Sequence, residues 1–445
     1  MKNNEFSRRK FLGVSAAAAG ATIAAKTFVL DPLPMFADSA SRVRFGIIGI
    51  GMQGSALLKT SIQLPGVECI AACDLYDGRQ TLAKETVGPD LFTTRRYQDL
   101  LNNKDIDCII AAVPDHWHKQ IVVDTVNAGK DVYCEKPMSH SAADGVEMVA
   151  AAQKTGRIVQ VGSQRVSSVL CAKAKEIIAQ GMIGDLMLVE GSLGRNTPSG
   201  AWQYPPPPDL SPENLDWNTW LGSAPKHAFD PLVYQRWRCW KEYGTGVGGD
   251  LLVHLMSGFI HMTGFNQAPQ RALSTGGILR WKDGRNMPDV HATIFEFNGI
   301  PVYMRINLGT ETSEGYRFMG SKGILDVNHT GITFTEQTGV DTGPGWNVNS
   351  FPKNLREAYV SKWHAEHDVP MEKAPITETV SYQGTSYDDV KPHLWNFFEA
   401  VRTRKPVVED AVFGHHAALA CHMANESYFR KSAVYWDEGS KSIKS

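Results

Sequence analysis

Three short segments carry residue types and spacings that could do chemistry. Gly49-Ile50-Gly51-Met52-Gln53-Gly54 is a G-x-G-x-x-G, and Asp74 comes about twenty residues later. In such a loop Gly49 permits a tight turn, Gly51 lets backbone approach a pyrophosphate, and Gly54 lets helix and strand pack closely. An acid at that distance accepts bonds from ribose hydroxyls and repels a 2′-phosphate, which favours NAD over NADP, with Arg79 close by. Glu135-Lys136-Pro137 closes a second apolar run. A lysine there can hydrogen-bond a reacting oxygen and stabilise a developing alkoxide; it could also be a solvated lysine after a strand. Asp250 and His254 follow the glycine-rich stretch Gly244–Gly249. Four apart on a helix, they share one face, so the carboxylate could orient the imidazole as a base for a hydroxyl proton. The blander alternative is a first-turn aspartate and a packed histidine.

The surrounding sequence supplies the elements that must position these groups. Val43–Ile48, Val67–Cys73, Ile106–Val113 and Asp131–Glu135 read as buried strands. An amphipathic segment with Leu57, Leu58, Ile62 and Leu64, then Trp117–Ala128 and Ala142–Thr155, read as helices. Alternation of the two predicts an α/β, doubly wound parallel sheet over residues 41–165. Gln160–Arg165 reads as the sixth strand and the crossing into a second domain over 166–390. Before the Asp250 helix, Trp202, Tyr204, Trp217, Trp220, Tyr234, Trp237, Trp240 and Tyr243 cluster with Arg236 and Arg238 and four consecutive prolines. Such side chains suit sugar faces and edges; they equally suit core anchors. Val290–Phe297 and Pro301–Leu308 alternate as antiparallel strands, and Gly320–Val327 reads as a hairpin. Residues 335–380 read as a long excursion, and Leu394–Arg404 and Ala411–Arg430 as helices.

Val113-Pro114-Asp115-His116-Trp117-His118 and Glu135-Lys136-Pro137, together with the glycine fingerprint, resemble the Gfo/Idh/MocA oxidoreductases over nearly the whole chain after its first forty residues. The resemblance implies a Rossmann domain followed by an α/β domain with a large open, mainly antiparallel sheet, used in dimer or tetramer contacts. Terminal helices (391–445) would pack back on the core. It implies NAD-dependent oxidation of a secondary alcohol of a sugar, glycoside or cyclitol, or the reverse. Lys136, Asp250 and His254 would be the catalytic set. Gly49, Gly51, Met52, Gln53, Gly54, Asp74, Pro114, His118, Glu135, Lys136 and Gln164 would form the nucleotide site, although Gln164 equally suits an interdomain hydrogen bond and His118 a packing role. Pro137 is often cis in relatives. Many relatives carry a second aspartate where Ser257 stands, which bears on substrate geometry. Some relatives are redox-neutral, NAD-dependent glycosidases; a non-catalytic sugar- or nucleotide-binding protein is a third reading.

Composition narrows the partners. The 445 residues hold 45 basic and 47 acidic side chains, a formal charge of −2, which provides no field for nucleic acid. Seven cysteines without a CxxC pair predict neither a disulfide framework nor a metal site. Ser7-Arg8-Arg9-Lys10-Phe11-Leu12 ahead of an alanine-rich run fits a twin-arginine export signal over residues 1–40. The expected partners are therefore a carbohydrate, the twin-arginine translocase and further copies of the chain, and the expected compartment is the periplasm or another exported location. Free NAD is scarce there, so the cofactor would be held tightly or regenerated within each cycle.

Overall fold

The computed structural model describes residues 26–30, 42–337, 339, 341, 343–367, 379–384 and 389–445. Most of the expected export signal, including the cleavage region Ala37–Ala40, lies outside them.

Among the described residues six parallel strands make the first sheet. From edge to edge they are Phe92–Thr94, Val67–Cys73, Val43–Ile48, Cys108–Ala111, Asp131–Cys134 and Val159–Val161. Cys108–Ala111 and Asp131–Cys134 are buried throughout, as strands covered on both faces must be. The short edge strand Phe92–Thr94 carries no long apolar run, and periodicity gave no sign of it. Helix Met52–Ser61 buries Leu57 and Leu58 completely, each contributing about 1.5–3 kcal/mol. Helix Ala142–Thr155 starts at Ser141, whose side chain accepts from the Asp144 N–H, and stops at Gly156 in the left-handed region.

The second sheet has eleven described strands. Their order is Lys26–Leu30, Thr379–Gly384, Gly331–Glu336, Gly323–Asn328, Thr312–Gly320, Leu186–Gly194, Ile300–Asn307, Val290–Phe297, Arg271–Gly277, Val434–Asp437, Ser442–Lys444. Two neighbouring pairs are parallel, Lys26–Leu30 with Thr379–Gly384 and Leu186–Gly194 with Ile300–Asn307; the rest are antiparallel. One face carries Ala272, Phe295 and Val302 into the core under the Asp250–His254 segment. The other shows Leu273 and Ile294, paired side by side and each 51% exposed.

Three expectations change. Lys26–Leu30, inside the segment read as a signal, is the outermost strand of this sheet. Lys353–Glu366 is a helix within the stretch read as an excursion. The tail after residue 391 is not purely helical, because Val434–Asp437 and Ser442–Lys444 extend the sheet.

Helix Ala411–Arg430, capped by Asp410 through the Phe413 N–H, is the seam of the molecule. Ala418 joins the core of the first sheet, while Ala417, Leu419 and Ala420 join that of the second. Gly414 permits the approach, since a Cβ there would lie 2.3 Å from Val161 Cγ2. Among the described residues no helix is long and apolar enough to cross a membrane.

Candidate active site

The glycine loop has the shape its sequence demands. Gly49 has φ of +88°, and a Cβ there would lie 2.4 Å from the Ala112 carbonyl oxygen. A Cβ on Gly54 would fall 1.9 Å from the Gly49 oxygen. At Gly51 the nearest atom is Arg79 Nη1 at 3.5 Å, so backbone is open to the cleft. Gly51 also precedes helix Met52–Ser61, which has no side-chain cap, and its first N–H groups are available to phosphate oxygens. Asp74, 7% exposed, accepts from the Ile50 N–H (2.8 Å) and the Tyr76 N–H (3.0 Å), with Arg79 Nη1 at 3.9 Å. It braces the loop and still lines the cleft. These features fit a dinucleotide.

Glu135, 5% exposed, ties the far wall together. It accepts from Gln53 Nε2 (3.0 Å), Gln164 Nε2 (2.7 Å) and the Lys136 N–H (3.2 Å). Gln164 also donates to the Tyr133 hydroxyl at 2.7 Å. Burial pushes the Glu135 carboxyl up, against the lowering effect of Lys136 and the two amides. Met52, Gln53, Pro114, Glu135, Lys136 and Gln164 all line one cavity. The Lys136–Pro137 peptide bond is cis.

His118 is placed differently from the expectation. It is fully buried behind the cleft wall, Nδ1 2.8 Å from the Pro137 oxygen and Nε2 2.9 Å from the Val113 oxygen. Two carbonyl partners require both ring nitrogens to donate, so the imidazole fastens the chain on either side of the cleft. Sequence spacing gave its position in the chain but not the direction of its ring.

Lys136, Asp250 and His254 line the same cavity, but their pairing differs from the expected one. Val247–Leu251 is a π-helical turn, and regular α-helix begins at Leu252. Asp250 and His254 would share a face only on one α-helix, and the change of helix type falls between them. The Asp250 carboxylate meets Lys136 Nζ and Arg238 Nε, both at 3.0 Å, in place of the imidazole. Lys136 Nζ also donates to the Asp250 carbonyl at 2.9 Å. Burial alone would raise the Asp250 carboxyl, but the Lys136 and Arg238 charges hold it well below the usual carboxylate range.

His254 is pushed down to about 3 by burial and by the Lys136 charge, with Glu314 and Asp250 pulling the other way. It therefore presents a neutral imidazole to the cavity across the physiological range. Tyr316 donates from its hydroxyl to the His254 carbonyl at 2.9 Å and pins the helix. Ser257 points away from the cleft, fully buried and donating to the Val253 carbonyl at 2.6 Å.

The aromatic segment divides. Trp202, Tyr204, Trp220, Tyr234 and Trp237 line the cavity. Trp217 and Trp220 stack at 4.8 Å and pack with Tyr76, Tyr234 and Tyr243, closing the segment onto the first sheet. Trp117 Nε1 donates to the Trp220 carbonyl at 2.9 Å. Two contributors escaped the sequence reading: Arg195 in the cavity wall and Glu314 beside His254. No motif marks either. Arg238 was visible among the tryptophans, but its salt bridge to Asp250 was not.

Residues 43–163 match the model of an oxidoreductase family with an NAD-binding Rossmann fold, GFO_IDH_MocA. The inositol 2-dehydrogenase of Salmonella paratyphi B is 36% identical over 151 residues, which are 34% of this chain and 45% of that protein. The chain thus spans less than half the length of the inositol dehydrogenases it matches. A protein named glycosyl hydrolase family 109 protein, from Shewanella pealeana, is 22% identical over 88% of this chain and 83% of its own. Over a longer span the fold is similar to that of solved dehydrogenases. A levoglucosan dehydrogenase complexed with NADH and levoglucosan superposes with TM-score 0.62 at 18% identity, covering 88% of this chain and 99% of that one. The myo-inositol 2-dehydrogenase of Lactobacillus plantarum does so with TM-score 0.61 at 18% identity, over 88% and 99%.

Proposed function

We propose that this protein is an NAD-dependent oxidoreductase acting on a secondary alcohol of a sugar, glycoside or cyclitol. One observation carries the proposal: a lysine ammonium and a neutral imidazole face one cavity that is continuous with the glycine-loop cleft. Lys136 has three N–H donors, of which two go to Asp250. The third is left for the substrate oxygen. His254 takes the hydroxyl proton on its unprotonated nitrogen. Bound NAD supplies the hydride acceptor. Asp250 and Arg238 hold Lys136 in place, and the Trp and Tyr walls exclude water. Support for a carbohydrate comes from the inositol and levoglucosan dehydrogenases named above.

A second reading rests on the likeness, over 88% of this chain, to the family 109 protein. Oxidation of one carbon would acidify its neighbour, so that a glycosidic bond could be eliminated and water added, and a dinucleotide held at the glycine loop throughout would supply the hydride that restores the alcohol. Incubating protein and a glycoside without added NAD separates the two. Release of the aglycone with no keto sugar supports the cycle, and a stable keto-glycoside supports the dehydrogenase.

We also propose work outside the cytosol, on the strength of the Arg8-Arg9 segment. Fractionation of cells carrying the chain and its Arg8→Lys, Arg9→Lys form tests this. Export of the first and cytosolic retention of the second are the expected outcomes.

A further inference from the structure

Among the described residues, one cation of the cavity wall has no partner. Four basic side chains line it: Arg79, Lys136, Arg195 and Arg238. Lys136 and Arg238 share Asp250. Arg79 faces Asp74 and lies 5.1 Å over the Tyr234 ring, on the glycine-loop side. Glu135 is the remaining carboxyl in the wall, and it is already taken by Gln53, Gln164 and the Lys136 N–H. Arg195 alone among the four has no ion-pair or hydrogen-bond partner for its guanidinium among the described residues.

The chain places Arg195 deliberately. It directly follows strand Leu186–Gly194, and its own N–H donates to the Asn307 carbonyl at 2.9 Å. Its stem lies against Gly200, where a Cβ would come within 2.9 Å of Arg195 Cβ and 3.3 Å of Cδ. Arg195 is half-buried as a residue and lines the cavity, and the planar fork of a guanidinium matches a carboxylate with two parallel bonds. A diphosphate at the glycine loop would be met by the uncapped N–H groups at the start of helix Met52–Ser61.

We propose that the substrate is an acidic sugar, a uronate or aldonate, whose carboxylate is clamped by Arg195 while its hydroxyl lies at Lys136 and His254. This rests on the oxidoreductase reading and deepens it. One unpaired arginine answers one carboxylate; a phosphate dianion would leave a charge over.

The test is calorimetric titration of the NADH-loaded full chain with glucuronate, galacturonate and gluconate, against glucose, galactose and glucose 6-phosphate. At least one acid should bind tenfold or more tightly than its neutral counterpart. Arg195→Met should abolish that preference while NADH affinity is retained, and Arg195→Lys should restore part of it. Acids binding no better than neutral sugars, a preference for the phosphate, or a preference untouched by Arg195→Met would each overturn the proposal. In a parallel assay of the NAD-loaded chain, hydride transfer from neutral sugars alone would do so too, leaving the oxidoreductase reading intact. Tight acid binding through Arg195 with no hydride transfer would sink the oxidoreductase reading and keep the clamp.

Discussion

Lys136 and Asp250, 114 residues apart in the chain, meet at 3.0 Å across the boundary between the two sheets, with their side chains 11% and 5% exposed. The glutamate–lysine–proline segment is thereby locked to the helix that carries His254. Asp250 also binds Arg238, so one carboxylate answers two cations. Asp250→Asn should leave both underpaired. Breaking a buried pair costs about 3–5 kcal/mol where desolvation is complete, and somewhat less at this depth. Chemical denaturation should show the loss, and turnover should fall about 100-fold because Lys136 is no longer held. Unchanged stability and turnover would show that Asp250 does not position Lys136.

The glycine loop makes a sharper prediction about cofactor binding. Gly54→Ala puts a methyl group 1.9 Å from the Gly49 oxygen, and neither backbone can yield. NADH affinity, followed by its fluorescence, should drop more than tenfold, and stability by about 1–3 kcal/mol. Retained affinity would mean that the dinucleotide sits elsewhere.

Glu409 predicts a pH effect. It is fully buried, and the Ser163 hydroxyl and N–H pull its carboxyl down against the burial that raises it. Burial pushes its carboxyl well above the usual range. Because the folded value is raised, the contribution to stability is fully present below the unfolded carboxyl's pKa of about 4.3 and is lost as pH rises toward the folded value. Glu409→Gln keeps the shape and removes the titration. It should raise Tm relative to the parent at pH about 8 more than at pH about 5. An equal difference at both values would falsify a buried, neutral Glu409.

The exposed face of the large sheet predicts self-association. Leu273 and Ile294 sit in register on that face, and the half-exposed Tyr435 stands opposite Arg271 in the adjoining strand. Sedimentation velocity should show a dimer or tetramer, and Ile294→Glu should shift it toward monomer. A monomeric parent protein would remove the role given to this face.

Much of this was legible in the sequence because it is local. The Gly49–Gly54 loop, the strand closing at Asp74 and helix Ala411–Arg430 follow from short-range pattern and chain stereochemistry. Features that depend on contacts far along the chain were not. Asp250 sits at helical spacing from His254, yet its partners are 114 and 12 residues away, and the π turn that redirects it has no signature in composition. His118 carries the motif but turns its ring to two carbonyls. Arg195 and Glu314 look like ordinary strand-end and strand charges until the sheet closes around them.

The most direct test is single-turnover hydride transfer to protein-bound NAD, read by NADH absorbance, over a panel of neutral and acidic sugars and cyclitols. A redox-neutral cycle passes through the same step, so the readout serves both readings. Lys136→Met and His254→Asn should each slow the transfer about 100-fold or more while NADH affinity stays within about threefold. Transfer at the parent rate in either variant, or no transfer from any alcohol in the parent, would contradict the account.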